Sequence, residues 1–288
     1  MLTAPDIVAV VLRALALILL YQAAGMAIFD VAFGARLGTP DATRLRSAGA
    51  GACLGAAVLV CGHYLMQPAR MAGAFAGILD SSLQGMVLHS PSGAALALRL
   101  AGLILILVSM LSSQGGRRIA ASLGVLLLAV AFALTGHTSV HTHRPVLATL
   151  LVVHVLIGMF WFGALVPLWL SAGRDPGPQT AGLIAAFSAA AVWIVPLILL
   201  AGLLMTALLV PGLAAFTQPY GQLLIVKVCL FAVLMGLAAA NKWRFGPAIS
   251  AGNALATRRF RISLVLEFAL ICVVLAVTAC LTTFFSPE

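Results

Sequence analysis

The side chains in this 288-residue chain best suited to chemistry are six histidines: His63, His89, His137, His141, His143 and His154. Imidazole is the commonest metal ligand in proteins. The densest run, His137-Thr138-Ser139-Val140-His141-Thr142-His143, closes one apolar stretch, and His154 lies inside the next. His137 and His141 share a face if the helix continues for one turn, and His141 and His143 share one if the segment is extended. Either way two imidazoles can converge on one ion, and imidazole suits copper, zinc, nickel and iron. The competing reading is a solvated polar loop, and Arg144 beside the run would repel a cation if it pointed the same way. His154 sits within Leu150-Leu151-Val152-Val153-His154-Val155-Leu156. A polar side chain inside an apolar span is costly and is expected to face a cavity or a partner; an interhelical hydrogen bond is the alternative. Met66 follows His63 by three residues and Met86 precedes His89 by three. Thioether beside imidazole favours copper over zinc, although methionine in so apolar a chain serves first as packing.

The charged residues narrow the chemistry. Of the seven acids, only Glu267 lies well inside an apolar stretch. That argues against a carboxylate-rich calcium or magnesium site and against a carboxylate proton wire. Arg13, Arg99 and Lys227 also fall inside apolar stretches, nearest the face that carries the histidines, and can snorkel outward. Lys227 could pair with Glu267, although residue counting puts Glu267 nearer the opposite face. Unpaired cations are awkward beside copper but would suit the propionates of a haem, with His154 as its axial ligand and Arg13 or Arg99 as anchors. Cys53, Cys61, Cys229, Cys272 and Cys280 are odd in number and form no Cys-x-x-Cys pair, so they read as buried small hydrophobes. No nucleophile with its base and acid, phosphate loop or dinucleotide fingerprint occurs, and no enzyme is expected.

The elements that must position these residues follow from composition. The chain is 63% hydrophobic and 8% charged, with mean hydropathy +1.16. A soluble domain is about 25% charged. The class is all-α: a polytopic bundle of membrane helices, since a long apolar segment satisfies its backbone in lipid as a helix. The short alternating segments of a barrel are absent. About eight spans are expected, over Pro5–Phe29, Ser47–Met66, Gly93–Leu111, Ile119–Leu134, Val146–Leu170, Gly182–Val210, Tyr220–Ala240 and Ile262–Thr283. Pro196 should bend or break the sixth. The first lacks a basic leader and carries Asp6 and Arg13, so it reads as a span and not as a cleavable signal. Between spans two and three, residues 67–91 are too polar to cross. Phe75, Ile78, Leu79, Leu83, Met86 and Val87 follow helical spacing there, which predicts an amphipathic helix on the membrane or capping the bundle. The whole chain, 1–288, reads as one domain.

Orientation follows from lysine and arginine. Arg36, Arg44, Arg46, Arg117, Arg118, Arg174, Lys242, Arg244, Arg258, Arg259 and Arg261 fall in loops on one side; the opposite loops hold Arg70 and Arg144. The first side is therefore cytoplasmic, both termini lie outside, and all six histidines fall on the outer side. The net charge of +9 reads as anchoring to anionic lipid, with no nucleic acid as partner.

Three blocks of residues resemble the copper resistance protein D (CopD) family. Leu134-Thr135-Gly136-His137 resembles its "TGH" at the end of one span. His154 followed by Trp161-Phe162-Gly163-Ala164-Leu165-Val166-Pro167-Leu168 is similar to its "H…W-x-G-x-L-x-P-L" run. Tyr220-Gly221-Gln222-Leu223-Leu224 with Lys227, Asn241 and Glu267 is similar to its closing segment. Val153 and Ala164 depart from the pattern, and His141 and His143 lie outside it. The resemblance implies a bacterial inner-membrane protein that moves or handles copper, often beside a periplasmic CopC-like copper-binding partner. With it, His137 and His154 are the first expected ligands and are expected to share one site; His141, His143, His63 and His89 are the second, and Met66 and Met86 the soft candidates. A copper importer is the leading expectation. A haem-binding electron-transfer protein and a non-transporting dock for a copper carrier are the alternatives. The topology has a direct test. Cysteine placed at Ser81 or Ser82 should react with an impermeant thiol reagent added outside; labelling from the cytoplasm alone would overturn it.

Overall fold

The computed structural model describes residues 2–112, 115–136, 141–174, 177–210 and 212–285, and every regular element among them is helical. In chain order these are α1 Ala4–Phe33, α2 Thr39–Ala72, α3 Ser81–Leu88, α4 Pro91–Leu111, α5 Arg117–Ala133, α6 Arg144–Arg174, α7 Pro178–Ile194, α8 Pro196–Leu209, α9 Pro219–Ala240, α10 Gly246–Ser250 and α11 Ala254–Phe284. Short 3₁₀ turns cover Gly34–Arg36, Phe75–Leu79 and Leu213–Thr217, and a π turn covers Asn241–Phe245.

Local sequence sets the helix starts. Thr3 and Asp6 form a reciprocal capping box at α1, with Pro5 in its first turn. Ser90 caps α4 ahead of Pro91, and the Asn253 side chain accepts the Ala256 N–H at α11, 3.0 Å. Each cap satisfies an N–H the helix leaves without a partner.

Among the described residues seven helical stretches are long and apolar enough to cross a membrane: Ala4–Arg36, Thr39–Ala72, Pro91–Leu111, Arg144–Gly173, Pro178–Leu209, Pro219–Ser250 and Ala254–Phe284. The remaining expected span, Ile119–Leu134, is the 17-residue α5. That is the lower end of what a crossing takes, about 17 residues. Pro196 has the predicted effect: α7 stops at Ile194 and α8 starts at Pro196, with Val195 between them.

Residues 67–91 differ from the single amphipathic helix predicted there. Helix α2 continues through Pro68 to Ala72 and stops because Gly73 turns left-handed, φ 69°. A 3₁₀ turn follows. Asp80 then starts α3 by accepting the Ser82 and Leu83 N–H groups. The Ser82 hydroxyl, with the Leu83 N–H, holds the Asp80 carboxyl below the usual carboxylate range. Of the apolar residues with helical spacing, Phe75, Leu79 and Met86 are exposed, Ile78 and Leu83 half-buried and Val87 buried.

Helix α1 is the hub, packing against α2, α4, α5, α6 and α11. Its closest approach is to α6. A Cβ on Gly25 would lie 2.6 Å from the Gly163 Cα, so the two backbones touch. One turn earlier, buried Gln22 donates to the Phe162 carbonyl, 3.0 Å. Gly102 and Gly124 join α4 to α5 in the same way, each leaving a Cβ only 2.7 Å from the other's carbonyl oxygen. Small residues at such crossings let dispersion and weak polar contacts replace the hydrophobic drive that lipid removes. Helices α1 and α6 run the same way, so α6 starts at the end where α1 starts. At that end Arg13 donates to the Thr282 carbonyl and the Thr283 hydroxyl, both 3.3 Å, and Arg70 pairs with Asp6 at 2.8 Å. At the other end buried Asp30 pairs with Arg117 and with Arg46, 3.6 Å, and the Arg261 guanidinium lies 4.3 Å from the Trp169 ring centroid.

Gly163→Ala should destabilise the bundle by about 3 kcal/mol, the upper end of overpacking costs, because backbone cannot step aside as a side chain can. Gly236→Ala on α9, where a new methyl meets open space, should be neutral within about 0.5 kcal/mol. Unfolding of both variants in detergent checks the contrast.

Candidate functional site

The histidines occupy several distinct places at one end of the bundle. His137 lies outside the described residues, so its expected nearness to His154 lies outside them too. His141 and His143 come just before α6, with ring centroids 5.6 Å apart and planes inclined at 39°. The exposed His143 backbone N–H donates to the His141 Nδ1, 3.1 Å. An ion bound at that nitrogen would have to displace this N–H. His89 ends α3 and contacts the Gly85 carbonyl through Nδ1 at 2.8 Å. Among the described residues no three His, Cys, Asp or Glu side chains gather as a metal site.

His154 sits eleven residues beyond His143, about 16 Å down α6. Ligands of one ion stand only about 4 Å apart, so the loop pair and His154 are separate stations. Residue 154 faces the broken helix. Its Nδ1 lies 3.0 Å from the Ile198 carbonyl in the first turn of α8. Gly202, one turn on, lies beside the ring: a Cβ there would stand 3.5 Å from its Cε1, an ordinary contact distance. A carbonyl can only accept, so Nδ1 carries the proton and, in the neutral ring, Nε2 keeps its lone pair. Ligating histidines are characteristically oriented by such a second-nitrogen hydrogen bond. Lys227 of α9 acts electrostatically on the ring from the neighbouring helix.

His63 is elsewhere again. It lines a cavity of about 470 Å³ together with Arg13, Arg70 and Arg99, and α6 contributes nothing to that wall. Met66 is buried outside this lining, while Met86 is exposed. The pairing of each methionine with its neighbouring histidine is therefore not assembled at this cavity.

Glu267 forms the deepest polar cluster. It is 2% exposed, accepts the Trp161 indole N–H at 3.1 Å and is also bonded by the Asn241 amide. The Phe231 ring stands edge-on to Trp161 at 6.1 Å. Lys227 and Glu267 do not pair, in keeping with the residue counting that put Glu267 nearer the opposite face. Lys227 precedes Asn241 by fourteen residues, about 21 Å along the helix, so the lysine and the carboxylate lie at different depths. Sequence reasoning treated Trp161 and Asn241 as family signatures and missed them as the partners of Glu267. The available signal was an amide, Asn241, beside an apolar span whose neighbours offer a buried carboxylate. Gln22 carried the same signal inside α1, and Asp30, which joins α1 to two arginines, was also passed over.

Comparison with known families follows this geometry. A family model described as copper resistance protein D matches residues 181–281. One described as copper resistance protein D-like, N-terminal domain, matches residues 1–143. Lys227, Asn241 and Glu267 fall within the first match, His63, Arg13 and Arg99 within the second, and His154 and Trp161 between them. No curated protein and no solved structure matches the chain.

The Glu267 cluster generates a stability prediction. Trp161→Phe keeps an aromatic ring but removes a donor from a buried carboxylate, and should cost about 1–3 kcal/mol. Trp193→Phe, at an exposed position, should fall within about 0.5 kcal/mol of the parent. Detergent unfolding curves of the two variants give the comparison.

Proposed function

Because this chain belongs to the copper resistance protein D family and is a multi-pass copper-handling membrane protein, we propose that it is a carrier that imports copper across the bacterial inner membrane through its histidines. The observation that carries this reading is the orientation of His154. Its Nδ1 is held by the Ile198 carbonyl at the α7–α8 break, which leaves Nε2 as a ligand atom inside a span. Val195 keeps helical dihedrals, so Pro196 bends the one apolar stretch Pro178–Leu209, and its missing N–H leaves a carbonyl of the preceding turn without its helical partner inside the span.

In this mechanism His141 and His143, with His137, take copper at the outer end, and a CopC-like protein of the periplasm is the expected donor. The ion then passes about 16 Å inward to His154. Lys227 disfavours a cation resting beside His154, which speeds its onward release. The excess of lysine and arginine at the far end orients that end to the cytoplasm. The membrane potential then favours inward movement of a cation by about 2.3 kcal/mol per charge per 100 mV.

The haem alternative has less support. It needs His154 as axial ligand beside Arg13 or Arg99, whereas His154 faces α8 and does not line the cavity that holds those arginines. A docking role without transport shares the outer histidines but gives His154 nothing to do.

Copper accumulation in cells at matched expression tests the pathway. Loss of an orienting partner alone typically costs about 10–100-fold in metal-site function. His154→Ala should therefore lower uptake at least about tenfold, and His143→Ala much less, since His141 stands beside it. Parent-level uptake by His154→Ala would remove that residue from the path and favour docking.

A further inference from the structure

The cavity that holds His63 is built for the wrong sign of charge to be a copper site. Its wall takes residues from α1, α2, α4, α5, the turn after α5 and the end of α11. Arg13, Arg70 and Arg99 line it, and among the described residues no carboxylate does. Arg70 is neutralised from outside the wall by Asp6, 2.8 Å. Among the described residues Arg13 has neutral hydrogen-bond partners, the Thr282 carbonyl and the Thr283 hydroxyl. The Arg99 guanidinium stands 5.4 Å from the Phe132 ring centroid, and its Nε is buried with no hydrogen-bond partner. The Tyr64 hydroxyl, on a residue 9% exposed, is likewise buried and unpartnered at the same wall. Both atoms are sealed behind the wall. It is the Arg13 and Arg99 guanidiniums, with no carboxylate partner among the described residues, that mark a space for an anion. Ser92, Gln67 and Thr135 add further polar groups, while Leu17, Leu20, Val60 and Leu96 make the remainder of the wall apolar.

We propose that this cavity is a phosphate site, in which Arg13 and Arg99 hold the oxyanion and the apolar wall receives what it is attached to. Guanidinium is the preferred partner of phosphate, which it meets with paired N–H donors. Phosphate also has the oxygens to accept from two arginines together. The phosphate can come from a lipid headgroup, whose apolar body the leucine wall would accept, or from free inorganic phosphate. His63 then serves as a further donor to the anion and not as a copper ligand. The site does not depend on the copper pathway, and its test uses no copper, so the two can fail separately.

The test uses the purified full-length chain in detergent. One arm follows thermal unfolding against inorganic phosphate at constant ionic strength set by chloride. The other measures lipid phosphorus retained after extensive detergent washing. In the parent, stabilisation by free phosphate identifies a soluble ligand, and retained lipid phosphorus identifies a headgroup. In Arg99→Gln the phosphate response should need at least about tenfold more ligand, the equivalent of about 1.4 kcal/mol, or the retained lipid should be lost. Arg13→Gln should show a change in the same direction, and it decides the matter if Arg99→Gln does not fold, because glutamine keeps a donor for the Thr282 carbonyl. Identical behaviour of the folded variants and the parent in both arms would overturn the proposal.

Discussion

The crossing of α1 and α6 at Gly25 and Gly163 sets the rest of the architecture. Lipid supplies no hydrophobic drive between helices, so these two are held by the area of backbone they bring into contact. That contact exists only while neither residue carries a side chain. Its consequences run along both helices. Gln22 reaches the Phe162 carbonyl. Trp161, the next residue back, is turned toward Glu267 on α11. Gly158 lies against Tyr21 and Ile198, and His154, a turn above, meets the break between α7 and α8. The register that locks α1 to α6 is thus the same register that aims the intramembrane histidine.

Charge is sorted by depth and by helix. The end that holds the N-terminus contains every described histidine, yet it keeps them in different electrostatic settings. In the loop pair His143 is exposed and His141 half-buried, His154 has a backbone carbonyl on one nitrogen, and His63 shares its cavity with arginines. The histidine on α6 and the arginine-lined cavity therefore occupy separate places at one end of the bundle. Glu267 sits apart from both. Its indole and amide partners satisfy it locally, so it fastens α6, α9 and the turn after α9 to α11 without a salt bridge.

Much of this was legible in the sequence because membrane insertion imposes strong patterns. Apolar length gave the helices, and Pro196 gave the break, since a proline has no N–H to continue the ladder. His154 was legible as a polar residue that must find a partner within a span. The failures have a common cause. Helical spacing within 67–91 reported which residues could share a face, but Gly73 and Asp80 ended and restarted the helix there. Residue counting along the spans did set Lys227 and Glu267 at different depths, but it could not show that Trp161 and Asn241 meet the carboxylate. Depth and rotation are set by contacts between helices, such as the Gly25–Gly163 crossing, and a single sequence shows the glycines without showing which ones meet.

The central claim is that copper is bound by imidazole nitrogen within this chain. X-ray absorption spectroscopy of the copper-loaded, desalted protein tests it most directly. The account predicts retained copper whose nearest neighbours are nitrogen, with the outer-shell scattering pattern of imidazole rings. Copper surrounded by sulfur, or no copper retained at all, would contradict it.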